Sequence, residues 1–271
     1  MIVAFRTATK PRHRLPGPAA ALAICLALSS PATADENDAR ALLKGMSEYL
    51  AAQKTISLSY DSVYEVVSKD KQKLQLANSG TVELSRPDRI HLTRSSGFAD
   101  IEMVFDGKTV SMIDKSENAY VQAEVPGSVD NLIDQLREKF HRPLPAADLL
   151  GSNVYDVLMA DVTEVKDLGS GVIGGTECDH LAFRTKELDW QIWIAQGDKP
   201  YPCRYVITTT QVDQAPQFTF QMREWKAGDG AVSSDFSFKP PEGAKAMDVA
   251  ALKELKGLSE LPGNFSTGDA Q

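Results

Sequence analysis

The side chains with the most chemical potential in this chain cluster at Cys178-Asp179-His180. A Cys and a His two positions apart offer two metal ligands, and an Asp beside a His suggests the orienting pair of a hydrolytic triad. Each chemistry needs more than this spacing supplies. On a strand Cys178 and His180 share a face, but a metal would need about two further ligands from elsewhere. Asp179 and His180 then point to opposite faces, so the carboxylate cannot orient the imidazole directly. His91 and His141 belong to no H-E-x-x-H motif and no i, i+4 helical pair, and the chain has no G-x-S-x-G. His141, at the end of a helical pattern, is accounted for by the helix macrodipole.

Gly169-Ser170-Gly171-Val172-Ile173-Gly174 spells G-x-G-x-x-G. The dinucleotide fingerprint needs a helix after the glycines so that its N-terminus receives the pyrophosphate, whereas here a strand pattern follows. These residues read instead as a glycine-rich hairpin connection. No nucleophile and base are placed together by any spacing in the chain, so no catalytic residue, metal site or cofactor is expected and the protein is read as a non-enzyme.

The compartment follows from the N-terminus. Arg6, Lys10, Arg12 and Arg14 precede an apolar run from Ala19 to Leu28, and Pro31-Ala32-Thr33-Ala34 supplies an A-x-A site. This is the pattern of a secretory signal peptide over residues 1–34, cleaved after Ala34, leaving one periplasmic domain over residues 35–271. Leu22-Ala23-Ile24-Cys25 is a poor lipidation signal, because Ile24 is bulky where a small residue is needed. Cleavage removes four of the 29 basic residues and no acidic one, shifting the formal net charge from −8 to −12. So acidic a chain has no footprint for nucleic acid and is repelled by anionic membrane surfaces. After the leader no apolar stretch is long enough to span a bilayer, so stable membrane insertion is not expected. Cys178 and Cys203 are the two cysteines left in an oxidising compartment. A single disulfide between them is the simplest reading, with the metal site as the competing one.

The elements that would position these residues are mostly strands. Asp35 to Gln53 is an amphipathic helix, with Ala39, Leu42, Leu43, Met46 and Leu50 at helical spacing. From Thr55 the period changes to two. Strands are expected over Thr55–Ser68, Lys73–Ser85 (with a bulge or bend at Asn78 and Gly80), Arg89–Arg94, Ala99–Asp106, Thr109–Asp114 and Ala119–Val125. Short turns between them force antiparallel pairing. Ser128 then caps a helix from Val129 to His141, and Ala146–Met159 is helical with a break near Gly151. Strands resume over Asp161–Leu168, Val172–Arg184, Asp189–Ala195, Pro202–Thr210, Gln217–Lys226 and Ser234–Phe238. A short helix near Ala246–Leu255 precedes a tail from Gly257.

About eleven antiparallel strands with two or three helices make an α+β fold whose long sheet must curl and present a concave apolar face. The helices are the elements available to cover it. Trp190, Trp193, Trp225, Phe105, Phe218 and Phe220 are most simply core residues of that sheet. Asp189-Trp190-Gln191-Ile192-Trp193-Ile194 carries apolar side chains on both faces, as a strand does that is covered on both sides or exposes a binding surface.

Five segments together carry a family resemblance: Phe105-Asp106-Gly107-Lys108-Thr109-Val110, Asn118-Ala119-Tyr120, Pro143 to Leu150, Cys178 to Arg184 and Asp189 to Ile194. In collinear order they resemble a family of predicted periplasmic bacterial proteins grouped with the LolA/LolB-like lipoprotein carriers. The resemblance implies a LolA-like half-open barrel of about eleven antiparallel strands, with helices covering a concave face that holds acyl chains or other apolar ligands. The expected protein is therefore a monomeric carrier or chaperone for a hydrophobic small molecule or acyl chain. The alternative is an envelope-stress sensor that binds lipids or unfolded proteins and signals to an envelope protein partner. Leu132, Ile133, Leu136 and Phe140 are expected to form the lid, and Trp190 and Ile192 the wall.

Overall fold

The computed structural model describes residues 36–141 and 144–250, so the leader and its cleavage site lie outside the described residues. Helix α1 (Glu36–Ala52) forms where the 3.6-residue period places it, burying Ala39, Leu43, Met46 and Leu50 on one stripe. Six strands follow: β1 (Thr55–Val67), β2 (Lys73–Ser85), β3 (Arg89–Ser96), β4 (Asp100–Phe105), β5 (Thr109–Asp114) and β6 (Ala119–Glu124). Helix α2 (Val129–Glu138), a 3-10 helix (Ala147–Leu150) and helix α3 (Val154–Met159) come next. The second run of strands is β7 (Glu164–Ile173), β8 (Thr176–Arg184), β9 (Leu188–Ala195), β10 (Pro202–Thr209) and β11 (Gln217–Ala227), with a two-residue β12 (Lys245–Ala246).

All twelve strands lie in one sheet of order β12-β6-β5-β4-β3-β2-β1-β11-β10-β9-β8-β7. Two antiparallel meanders, β1–β6 and β7–β11, are thus fused where β1 pairs with β11. Among the described residues the sheet does not close, and its edges are β12 and β7. The α+β half-open barrel expected from the sequence is the observed architecture. One inner face carries the core: Ile56 and Leu58, Val82 and Leu84, Ile90, Met103 and Phe105, Leu181 and Phe183, and Trp190, Ile192 and Ile194 are all buried. Helix α1 lies against β7 and β9, and α3 against α1. Capping is as expected at α2, where the Ser128 Oγ accepts the Asn131 N–H at 3.3 Å.

Four boundaries differ from the sequence reading. Gly169-Ser170-Gly171 is not a hairpin connection but lies within β7, which shifts register between Asp167 and Ser170. The turn is made instead by Gly174 and Gly175, whose φ of 58° and 89° is the conformation glycine reaches most cheaply. Helix α2 stops at Glu138 rather than His141, which has left the helical conformation with φ 52°. Ser234–Phe238 forms no strand, since Phe236 turns to φ 54° and the segment is held by side-chain bonds instead of a ladder. Lys245–Ala246 pairs parallel to β6 where a helix was expected from Ala246, and the rest of that expected helix, from residue 251, lies outside the described residues.

The segment between β11 and β12 crosses the outer side of the sheet. Glu83 on β2 accepts hydrogen bonds from the Ser233 N–H (2.9 Å), the Ser233 hydroxyl (2.9 Å) and the Ser234 N–H (3.0 Å). Farther on, the Phe238 ring meets Tyr120 of β6 at 5.5 Å. This strap ties the end of the second meander back onto the first.

Candidate ligand-binding site

Helix α1 covers only part of the inner face. Over β1 to β5 and β11 the sheet instead faces a cavity of about 580 Å3, roofed by His141 and by the Leu144–Leu150 segment with its 3-10 helix. That volume falls within the range of sites that enclose small ligands, about 300–1,000 Å3.

Strand register explains the lining. Leu58, Val82, Leu92, Met103 and Met112 stand in one transverse row across β1 to β5. Two residues along each strand, Tyr60, Gly80, Arg94 and Ile101 form the next row, about 7 Å away at the strand rise. The third is Ser62, Asn78 and Ser96. The cavity therefore grades from an apolar floor to a polar end. Leu58, Val82, Met103 and Met112 are buried, and so are Tyr60, Ile101 and Ser62, while Asn78 and, farther along β1, Tyr64 and Val66 are half-exposed.

Aromatic rings from the β1–β11 seam form one wall. Tyr60 stacks on Phe220 at 4.8 Å between centroids and Tyr64 meets Phe218 at 4.6 Å. The Tyr60 hydroxyl donates to the Thr93 carbonyl at 3.1 Å. Burial pushes that phenol's pKa up to about 12, with the nearby Arg94 charge opposing the rise. At the polar end the Ser62 hydroxyl donates to the Asn78 side-chain oxygen at 2.6 Å. Glu65 also borders the cavity, but by alternation it belongs to the outer face. Its carboxylate accepts from Lys73 (3.1 Å), Gln75 (3.2 Å) and the Gln217 N–H (3.0 Å). Burial disfavours its charge, yet these donors prevail and hold its pKa below the usual carboxylate range.

None of the six residues expected as lid and wall borders this cavity. Leu132, Ile133 and Leu136 are buried within the core, and Phe140 packs partly buried against it. Trp190 and Ile192 are buried on β9, the strand that α1 lies against, with Trp190 stacked on Phe183 at 3.8 Å. Of the aromatics read as core, Phe105, Trp190 and Phe220 are buried in it, and Phe220 also borders the cavity beside the partly buried Phe218. Sequence reasoning passed over Arg94. Its signal was available, since Ile90, Leu92 and Arg94 share one face of β3 and a charged residue breaks that apolar alternation.

Cys178 and His180 lie on the outer face, whereas Asp179, opposite Ile194, belongs to the inner one. His180 bonds Gln191 at 2.9 Å and stacks on Trp193 at 4.0 Å, while Asp179 accepts from Gln196 at 2.7 Å, so no triad forms. Burial holds the His180 imidazole below its usual pKa. The Cys178 and Cys203 thiols are buried side by side, Sγ to Sγ 2.9 Å. Among the described residues no group of three or more His, Cys, Asp or Glu comes together as metal ligands would, and no helix is long and apolar enough to cross a membrane.

A family model described as "Predicted periplasmic protein (DUF2092)" matches residues 39–250. The uncharacterized protein MJ0687 of Methanocaldococcus jannaschii is 26% identical over 167 residues, which is 62% of this chain and 44% of that protein. The chain thus spans less than half the length of that curated relative. Among solved structures, the Mycobacterium tuberculosis lipoprotein LppX is 13% identical, with a TM-score of 0.44 over 70% of this chain and 96% of that one. The MucA/MucB complex of Pseudomonas aeruginosa gives 15% identity and a TM-score of 0.43 over 74% and 61%. The LolA superfamily protein NE2245 of Nitrosomonas europaea gives 10% and 0.31 over 70% and 94%.

Proposed function

Starting from the fact that the chain belongs to the DUF2092 family of predicted periplasmic proteins, and so is a periplasmic protein, we propose that it is a non-enzymatic carrier or chaperone. It holds a lipid, an acyl chain or another hydrophobic ligand in the cavity over β1 to β5 and β11. One observation carries this reading: beyond the part of the inner face that α1 covers, the sheet borders a cavity of about 580 Å3 over a floor of Leu58, Val82, Leu92, Met103 and Met112. The floor there lacks the packing that α1 supplies on β7 and β9. A ligand restores it, at about 0.8 kcal/mol for each methylene buried.

In this reading the cover is the Leu144–Leu150 segment, which touches the cavity, while α2 supports it from the core. The Arg137 guanidinium donates to Asp148 in the 3-10 helix at 2.8 Å, and Asp130 of α2 accepts the Ser152 N–H at 2.7 Å. These polar contacts fasten the roof at two points and leave its apolar side facing inward.

The test is uptake of the uncharged fluorophore N-phenyl-1-naphthylamine by protein purified from the periplasm without detergent, alongside native and denaturing mass spectra. Saturable binding that is lost in Leu92→Trp, a substitution that fills the cavity floor, supports the carrier reading. A co-purifying apolar molecule released on denaturation supports it too. Folded protein that carries nothing and takes up no probe overturns it.

A further inference from the structure

The cavity is graded along its length, and the grading selects among hydrophobic ligands. Its floor row is wholly apolar. The row beyond it carries Arg94, and the third row is Ser62, Asn78 and Ser96. A smaller crevice at that end shares Tyr64, Asn78 and Arg94 with the cavity and adds Leu76, Ser96 and Phe98. Ser62 and Asn78 bond each other and the Ser96 Oγ accepts from the Phe98 and Ala99 N–H groups, so the charge of Arg94 is what marks this end, and a ligand with a polar head and one apolar tail matches both ends.

Arg94 and Glu65 are the bordering residues with fixed charge, and Glu65 is turned to the outer face, where Lys73, Gln75 and Gln217 engage its carboxylate. Arg94 stands on the inner face between Gly80 and Ile101, half-buried. The glycine neighbour puts no side chain there, and the space over it is taken by the Tyr60 ring from β1. A guanidinium presents five N–H donors in a planar fork, enough to serve a neighbour and a bidentate anion together. The chain as a whole is acidic, with a formal net charge of −8. An anion would be repelled at long range, so an inward cation is the local exception that can select one.

We infer, building on the carrier reading above, that the ligand is a single-tailed amphiphile with an anionic carboxylate or phosphate head, its tail on the Leu58–Met112 floor and its head against Arg94. Arg94 is then the specificity-determining residue of the cavity, and the apolar row supplies affinity without choosing among tails. Because the rows stand about 7 Å apart, head and tail are read by different side chains and can be varied separately.

The experiment compares cis-parinaric acid with its methyl ester, which share a tail and differ in head charge, on wild-type protein, Arg94→Gln and Arg94→Lys. Wild-type protein should bind the acid about tenfold more tightly than the ester, as one charge-assisted hydrogen-bonded pair predicts. Arg94→Gln should abolish the preference for the acid over the ester, and Arg94→Lys should keep part of it. Competition by dodecanoate or by dodecyl phosphate supports the inference and tells which anion is held. Equal binding of acid and ester, or equal loss of both in Arg94→Gln, overturns the anionic head while the naphthylamine still reports a working cavity. Failure of all the probes on folded wild-type protein overturns the carrier reading itself.

Discussion

Tyr60 lies over Gly80 on the neighbouring strand, with its ring in the space that a side chain at position 80 would fill. A Cβ on Gly80 would stand 2.6 Å from the Tyr60 hydroxyl oxygen and 2.0 Å from the Thr93 carbonyl oxygen, the acceptor of that hydroxyl. The glycine therefore lets β2 pass close under the ring and lets one phenol span from β1 to β3. Gly80→Ala should destabilise by about 3 kcal/mol, at the upper end of ordinary overpacking. Tyr60→Ala should not rescue it, because the nearer clash is with backbone. Melting curves of the two single variants and the double variant check this.

The strap should loosen in acid. Burial disfavours the Glu83 carboxylate, but the Ser233 and Ser234 donors outweigh that and hold its pKa below the usual range. A group whose pKa is lowered on folding contributes stability that is present above the ordinary carboxylate pKa and is lost as pH falls through the lowered value. Hydrogen exchange in the segment 228–244 should thus quicken below about pH 4, where ordinary carboxylates begin to protonate, once corrected for intrinsic rates. In Glu83→Gln it should already be fast at neutral pH, and strap exchange that ignores both changes would show that Glu83 does not hold it.

Cys178 and Cys203 should be joined in protein taken from the periplasm. They are paired at 2.9 Å, buried, and located in an oxidising compartment. In reduced protein, burial raises both thiol pKa values, so little thiolate is available to exchange. The denatured, unreduced protein should show no reactive thiol, and reduction should lower stability by about 3 kcal/mol on the chain-entropy account. Two free thiols per chain would leave the pair as buried, reduced cysteines.

The strands were legible because their alternation is local. Lys73–Ser85 and Thr109–Asp114 are observed with the bounds that the period of two indicates. The turn at Gly174-Gly175 was misplaced because Gly169 and Gly171 offer an equally good local turn signal, and pairing with β8 is what decides between them. The distinction between core and cavity was not local at all. Phe218 and Trp190 sit in similar alternating strands, and what separates them is that α1 lies against β9 while nothing of α1 borders the cavity. An amphipathic helix shows in sequence that it will cover some apolar surface, but not which strands it will cover.

That difference makes Leu136 a test of where the cover is. A mobile lid predicts that Leu136→Glu weakens ligand retention and spares the fold. In the structure Leu136 is 1% exposed and packed in the core, so a glutamate there would be a buried charge with no partner provided. The expected outcome is a loss of about 3–5 kcal/mol of stability, the range of severe core defects. By contrast, Leu144→Glu alters a partly buried residue of the cavity roof. It should keep a melting temperature within a few degrees of wild type while weakening N-phenyl-1-naphthylamine binding, since it puts a charge at the cavity's edge rather than in the core. Parallel melts and titrations of the two variants separate the alternatives. If Leu136→Glu stays folded and releases ligand, the moving cover is α2, and if the pattern is reversed it is the Leu144–Leu150 segment.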